Sequence, residues 1–124
     1  MHITKLCIYL CIVIMALENT QSQMRKGVLE YCVLSVIARG EIYSSDIIDI
    51  LTQSKLLVAE GTLYPLLSRL KNSGLVSYKW VESTQGPPRK YFTITDLGLE
   101  YLSELDKTWS ELIQTVNNIK RPTQ

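Results

Sequence analysis

The stretch EGTLYPLLSRLKNSGLVSYKWVESTQGPPRKYFTIT, residues Glu60 to Thr95, decides the fold of this chain. It begins with a helix-like run and continues into two strand-like runs. The connection between the strands contains Gly-Pro-Pro and leads into the basic pair Arg89 and Lys90. This order predicts one helix followed by a β-hairpin. The function of this helix and hairpin has to be inferred together with the surrounding sequence.

The helical run has one apolar face and one polar face. Its leucines recur at i, i+3, i+4 and i+7, which places them together on the side that faces a core. They are Leu63, Leu66, Leu67 and Leu70. At about 100° per residue, the opposite face carries a different set, namely Gly61, Tyr64, Pro65, Ser68, Arg69 and Asn72. Because proline is tolerated in the first turn of a helix, we expect the helix to begin near Gly61 or Thr62 and to end at Gly74.

The two strand-like runs are Leu75 to Glu82 and Tyr91 to Thr95, each with alternating side-chain character. We expect the connection between them to be longer than a two-residue hairpin turn. Gly86 permits a positive φ, and the two prolines stiffen the returning arm and cannot donate backbone hydrogen bonds.

Two further helices precede this stretch. The apolar stripe from Arg25 to Arg39 has a period near 3.6 residues, and Gly40 is placed to end that helix. Cys32 falls on the stripe as a small core residue. A second helix is expected from Ser45 to about Gln53, with Ser44 as its N-cap. The order of helix, helix, helix, strand, wing and strand predicts a mainly α fold with a small β-hairpin wing, the winged helix-turn-helix.

A final helix is predicted after Thr95, which is a natural N-cap. Its apolar side chains step by three and four residues, which forms a narrow heptad seam. The seam consists of Leu102, Leu105, Trp109, Leu112, Val116 and Ile119. Such a seam needs another helix. We expect a second subunit to supply it, with packing on the first helix of the same chain as the alternative.

Composition and charge exclude several classes of protein. The 124 residues are 46% hydrophobic and 20% charged, with a net charge of +1, so the chain is neither disordered nor polybasic. From residue 24 to 92 there are nine Lys and Arg against six Asp and Glu, whereas the remainder is acidic. With a single histidine and three scattered cysteines, no disulfide framework, metal site, cofactor site or catalytic residue is expected.

The first 23 residues stand apart from the rest. Leu6 to Leu17 is an uninterrupted apolar run that is too short for a transmembrane helix of about 20 residues. Three explanations are open: a start codon assigned upstream of Met15 or Met24, a signal or membrane anchor, and a segment that packs on the domain. We expect the first, and with it a cytoplasmic protein without stable membrane association. The expected boundaries are therefore residues 1–23, 24–95 and 96–124.

The exposed face of the third helix, together with the wing, predicts DNA binding. Ser68, Arg69 and Asn72 are donors suited to base edges and phosphates in a major groove. Arg89 and Lys90 would meet the flanking backbone or the minor groove, and Tyr64 a sugar or phosphate. Either feature alone is more typical of a solvated helix face or an ordinary turn. Paired in a dimer, two such helices would read a palindromic operator on double-stranded DNA.

At EGTLYPLLSRLKNSGL and GPPRKYFTIT the chain resembles the PadR family of transcriptional regulators, from about Met24 to Asn118. The resemblance implies a winged helix, a dimerising C-terminal helix, and repression of neighbouring genes that a small molecule relieves. It places Thr62, Tyr64 and Pro65 at the groove-entering end of the third helix and the basic pair in the wing. Where many members have His-Gly-Tyr, this chain has Tyr43-Ser44-Ser45, so Ser44 or Ser45 would supply the phosphate contact there.

Some members of that family stack flat aromatic drugs between tryptophans at the dimer axis. Trp109 matches the position of such a tryptophan, so an aromatic effector is one hypothesis and simple packing of the indole is the other. The function expected from the sequence is a homodimeric, ligand-responsive repressor. Its alternative is a winged-helix module that binds protein instead of DNA.

Overall fold

The computed structural model describes the backbone of residues 2–122, with side chains from Thr4 onward. Within these residues, four helices and three strands follow one another. They are α1 (His2–Ile37), β1 (Ile42–Tyr43), α2 (Ser44–Gln53), α3 (Glu60–Asn72), β2 (Val76–Ser83), β3 (Gly86–Ile94) and α4 (Asp96–Lys120).

The chain divides into two compact units, residues 1–30 and 31–124, with the boundary inside α1. In the first unit the apolar run Leu6 to Leu17 is helical and exposed to solvent along its length. The prediction that the first helix begins at Arg25 was therefore wrong, because helical backbone extends back to His2. Across residues 2–122, none of the helices combines the length and the apolar character that crossing a membrane requires.

The core of the second unit is formed by apolar side chains from α1, α2, α3 and the two longer strands. The largest fully buried side chains in it are Leu34, Ile37, Ile47, Leu63, Leu67, Leu70, Val33 and Val76. All four leucines predicted to face the core are buried, at 0 to 6% exposure. Cys32, in contrast, is only half-buried, so it lines the edge of the core.

The strands form one antiparallel sheet in the order β1-β3-β2. The hairpin differs from the sequence prediction, because Ser83 pairs with Gly86 across the two-residue turn of Thr84 and Gln85. Gly86 is also not among the residues with positive φ. The prolines fit into β3 because β1 pairs only with Tyr91 and Phe92, so the proline end of β3 has a free edge where no donor is needed. A β-bulge between Val81 and Ser83 accommodates them.

Two helix starts lie earlier than expected. Helix α2 begins at Ser44, and its N-cap is Tyr43, which makes no side-chain capping bond. Helix α3 begins at Glu60, so Pro65 lies in its second turn instead of its first. The proline removes only the bond to the carbonyl of Gly61, and because Gly61 is exposed, water can satisfy that carbonyl.

The helix ends and the last cap agree with the sequence. Gly40 and Gly74 have positive φ, at +145° and +79°. Thr95 caps α4, with its Oγ1 accepting a hydrogen bond from the Gly98 amide at 3.0 Å. The same hydroxyl lies 2.6 Å from the carbonyl oxygen of Gly74. The start of α4 is thereby tied to the turn that follows α3, which fixes where the wing leaves the helical core.

Candidate nucleic-acid interface

The surface of α3 opposite its buried leucines is polar and solvent-exposed. Tyr64 is 45% exposed, and the other side chains predicted for this face are exposed as well. They are Pro65, Ser68, Arg69 and Asn72, and Thr62, which the resemblance places at the start of the helix, is exposed too. The structure therefore presents these six residues along one side of a single helix, which is the geometry required to enter a groove of DNA.

The two cations of the wing point to opposite faces of the hairpin. Lys90 is paired with Trp80 in the β2–β3 register, and Arg89 is paired with Val81. Because successive side chains of a strand alternate between faces, Lys90 and Trp80 share one face while Arg89 lies on the other. The sequence prediction had treated Arg89 and Lys90 as one basic pair, and the structure separates them.

On the face that adjoins α3, aromatic rings hold the side chain of Lys90. Its Nζ lies 3.8 Å from the centroid of Tyr78, 5.5 Å from that of Phe92 and 5.8 Å from that of Trp80. Lys71, from α3, approaches the same Tyr78 ring, with its Nζ 5.5 Å from the centroid. Cation–π attraction of this kind holds an ammonium group against the rings.

A cleft of about 250 Å³, here called the α3–wing cleft, lies between α3 and this face of the sheet. It is lined by Ser44, Tyr64, Leu67, Ser68, Lys71, Asn72, Tyr78, Lys90 and Phe92. Two ammonium groups and several hydroxyl and amide groups thus face the cleft, and no carboxylate lines it among the described residues. Ser44 is only 6% exposed and reaches solvent through this cleft, whereas Ser45 is half-buried and does not line it.

The opposite face of the wing carries its own cation on an aromatic support. The Cζ of Arg89 lies 5.1 Å from the ring centroid of Tyr43, which in turn lies 5.8 Å from the ring of Tyr91. On the same face Lys79 forms an ion pair with Glu41 at 3.2 Å. Arg89 remains exposed, so its guanidinium is held in place and still accessible to a ligand.

The heptad seam of α4 is only partly covered. Leu102 and Leu105 are half-buried. The later seam residues are exposed, with Trp109 at 42%, Leu112 at 51%, Val116 at 50% and Ile119 at 76%. The same chain therefore leaves most of this apolar seam open to solvent.

The contact between α1 and α4 is made by polar and aromatic groups of the second unit. Tyr31 donates its hydroxyl proton to Oδ1 of Asp106 at 2.5 Å, and this hydrogen bond raises the pKa of Tyr31. The ring of Tyr31 lies 6.3 Å from that of Trp109. Packing on the first helix of the same chain thus includes one seam position, Trp109.

Sequence reasoning missed four residues of this surface, Tyr43, Lys71, Tyr78 and Trp80. The strand β1, which carries Tyr43, has two residues and is too short to show an alternating pattern. Lys71 lies at the margin of the polar face, seven residues after Tyr64, and the prediction left it out. The alternation of β2 did place Tyr78 and Trp80 together, but only the strand register shows that they lie beneath Lys90.

The chain matches one known protein family and one curated relative over most of its length. The family described as "Transcriptional regulator PadR-like family" matches residues 33–104 of the chain. A curated but functionally uncharacterised protein of Lysinibacillus sphaericus is 31% identical over 100 residues, which cover 78% of this chain and 92% of the relative.

Solved structures also resemble this chain. A PadR-like transcription factor from Bacteroides fragilis is 57% identical, with a TM-score of 0.70, and the match covers 82% of this chain and 98% of that one. The Bacillus subtilis PadR structure in complex with operator DNA is 23% identical, with a TM-score of 0.59, and the match covers 63% and 45% of the two chains. The latter similarity shows that the two chains share a fold.

Proposed function

The chain belongs to the PadR-like family of transcriptional regulators, and from this premise we propose that it binds double-stranded DNA through α3 and the wing. The observation that carries the proposal is the exposed polar face of α3, flanked by cations on both faces of the β2–β3 hairpin. Donors on the helix suit base edges and phosphates in the major groove, and the wing cations suit the adjacent backbone. The winged-helix relative from Bacillus subtilis carries operator DNA on the same fold.

The proposed regulator acts as a homodimer. Support comes from α4, where Trp109, Leu112, Val116 and Ile119 form an apolar seam that the chain itself leaves exposed. Helix α4 or helix α1 of a second subunit would cover this seam, because apolar seams at heptad spacing pack against another helix. A two-fold axis would then place two copies of α3 in successive major grooves, which suits a palindromic operator.

We further propose that the dimer is a cytoplasmic repressor whose DNA affinity responds to a small aromatic effector. The supporting feature is the half-exposed indole of Trp109 beside the ring of Tyr31. A flat apolar molecule could stack there at the dimer axis. Replacing Trp109 with Leu should abolish the binding of aromatic dyes if the indole is part of such a site, and unchanged dye binding would remove the effector hypothesis.

Fluorescence anisotropy with the DNA that lies upstream of the chain's own gene tests the proposed function. The expected result is tight binding that exceeds binding to a scrambled duplex of the same length and falls steeply with salt. A dimer that binds neither duplex at low salt would contradict DNA binding and would instead favour a winged helix that recognises protein.

A further inference from the structure

We infer that the α3–wing cleft is a binding site for one phosphate of the DNA backbone, held between the ammonium groups of Lys71 and Lys90. The inference rests on the proposed DNA binding and adds a specific anion site to it. Lys90 is one of the two wing cations already expected to meet the backbone, and the inference adds Lys71 and a defined cleft on the face of the hairpin opposite to Arg89.

The charges that line the cleft favour an anion. Lys71 and Lys90 both approach the ring of Tyr78, at 5.5 and 3.8 Å, and both line one cleft. The ion pairs that Lys79 and Lys107 form do not include either of the two cleft lysines. Two like charges that line one cleft without a carboxylate beside them repel, and a bound anion would relieve that repulsion.

The neutral groups of the cleft also suit a phosphate. Ser44, Ser68 and Asn72 bring hydroxyl and amide donors to the same space as the two lysines. A phosphate accepts hydrogen bonds through several oxygens, so it uses such a mixture of cationic and neutral donors well. A carboxylate or a flat aromatic molecule would use fewer of these groups.

Lys90 is held in position before any ligand binds, and the cleft lies beside the exposed face of α3. The rings of Tyr78, Phe92 and Trp80 surround Lys90, so little side-chain freedom remains to be lost when the ammonium binds an anion. The cleft also opens beside Ser68 and Asn72 on the exposed face of α3. A duplex that receives that face in its major groove would bring its sugar–phosphate backbone to the cleft, which favours a DNA phosphate over a free one.

The test uses the salt dependence of duplex binding, because each lost phosphate contact flattens the plot of log affinity against log salt by about 0.9. Labelled duplex is titrated with the full-length chain between about 50 and about 200 mM salt. For Lys71→Gln we expect a slope flatter by about 0.9 per engaged protomer, which makes the loss of affinity over that range about 3.5-fold smaller for each contact. The charge-retaining Lys71→Arg should keep the wild-type slope.

Lys107→Gln is the matched control, because it removes the same charge from an exposed position on α4 that lies outside the heptad seam. Its slope should equal that of the wild type. Lys90→Gln should flatten the slope as Lys71→Gln does, and its Tm is measured alongside because that ammonium packs on Tyr78. If Lys90→Gln does not fold, Lys71→Gln decides alone.

The possible outcomes distinguish the phosphate site from the DNA-binding proposal on which it rests. A wild-type slope for Lys71→Gln, in a chain that binds duplex, would overturn the phosphate site and leave the DNA-binding proposal standing. A wild-type chain that binds no duplex at low salt would overturn both. If inorganic phosphate at matched ionic strength weakens wild-type binding and does not weaken the binding of Lys71→Gln, the cleft takes the phosphate group as inferred.

Discussion

Gly98 shows how a single residue sets the approach of α4 to the sheet. A Cβ built on Gly98 would overlap the carbonyl oxygen of Leu75 and lie 2.6 Å from Cγ1 of Ile94. The neighbours are backbone and a branched side chain, so neither can move away easily. Glycine is therefore required at this position by close packing and not by an unusual φ.

We expect Gly98→Ala to lower the free energy of unfolding by about 1 to 3 kcal/mol, the usual cost of overpacking. Gly61→Ala is the matched control, because nothing lies within 4 Å of the Cβ that it adds. Alanine also has the higher helix propensity, so Gly61→Ala should be neutral or stabilising by up to about 1 kcal/mol. Urea denaturation of both variants measures the difference, and equal stability would show that α4 does not approach the sheet as described.

At the scale of elements, the capping of α4 joins two parts of the winged helix. Thr95 accepts from the Gly98 amide and lies within hydrogen-bonding distance of the carbonyls of Gly74 and Leu75. Loss of a threonine cap typically costs about 1 kcal/mol. The turn after α3, which has Gly74 at a φ of +79°, depends on the same hydroxyl.

Thr95→Ala should therefore lower the free energy of unfolding by at least about 1 kcal/mol. Thr108→Ala provides the comparison, because its hydroxyl bonds only to the carbonyl of Glu104 within α4, and alanine is the better helix former. We expect no loss of stability from that change. Thermal unfolding distinguishes them, and equal Tm values would mean that the cap contributes nothing measurable.

The sequence predicted most elements because their patterns are long. Four leucines at helical spacing defined the buried face of α3, and Thr95 followed by Asp96 defined the start of α4. The errors occurred where an element is too short to show a pattern, or where a proline indicates a different structure from the one that forms. Strand β1 has two residues, the prolines of β3 look like a loop although a free edge accepts them, and Pro65 suggested a later helix start than Glu60.

The candidate site was predicted in part. A helical wheel is enough to group Ser68, Arg69 and Asn72, because they lie on one helix. It cannot show that Lys90 and Arg89 serve different faces of the wing, since that depends on the β2–β3 register. Nor can it show that Lys71 and Lys90 line one cleft, because both reach it through tertiary contacts with Tyr78.

At the scale of the whole molecule, the exposed seam of α4 predicts self-association. Leu112→Gln places an amide in the middle of the seam, and we expect it to raise the dimer dissociation constant about tenfold or more. Glu111→Gln is the matched control, because it introduces the same side chain one residue away and outside the seam. Sedimentation velocity over a concentration series measures both, and an unchanged dimer in Leu112→Gln would place the interface elsewhere.

The central claim is that α3 and the wing form the DNA-binding face, and one comparison tests it most directly. The affinity for labelled duplex is measured for the wild type, for Arg69→Gln/Arg89→Gln, and for Lys107→Gln/Arg121→Gln, which loses the same charge from α4 and the residue after it. We predict that the first double variant binds more weakly with a flatter salt dependence, while the second binds as the wild type does. Equal affinity and equal slope for the two double variants would contradict the account, because DNA would then contact another surface.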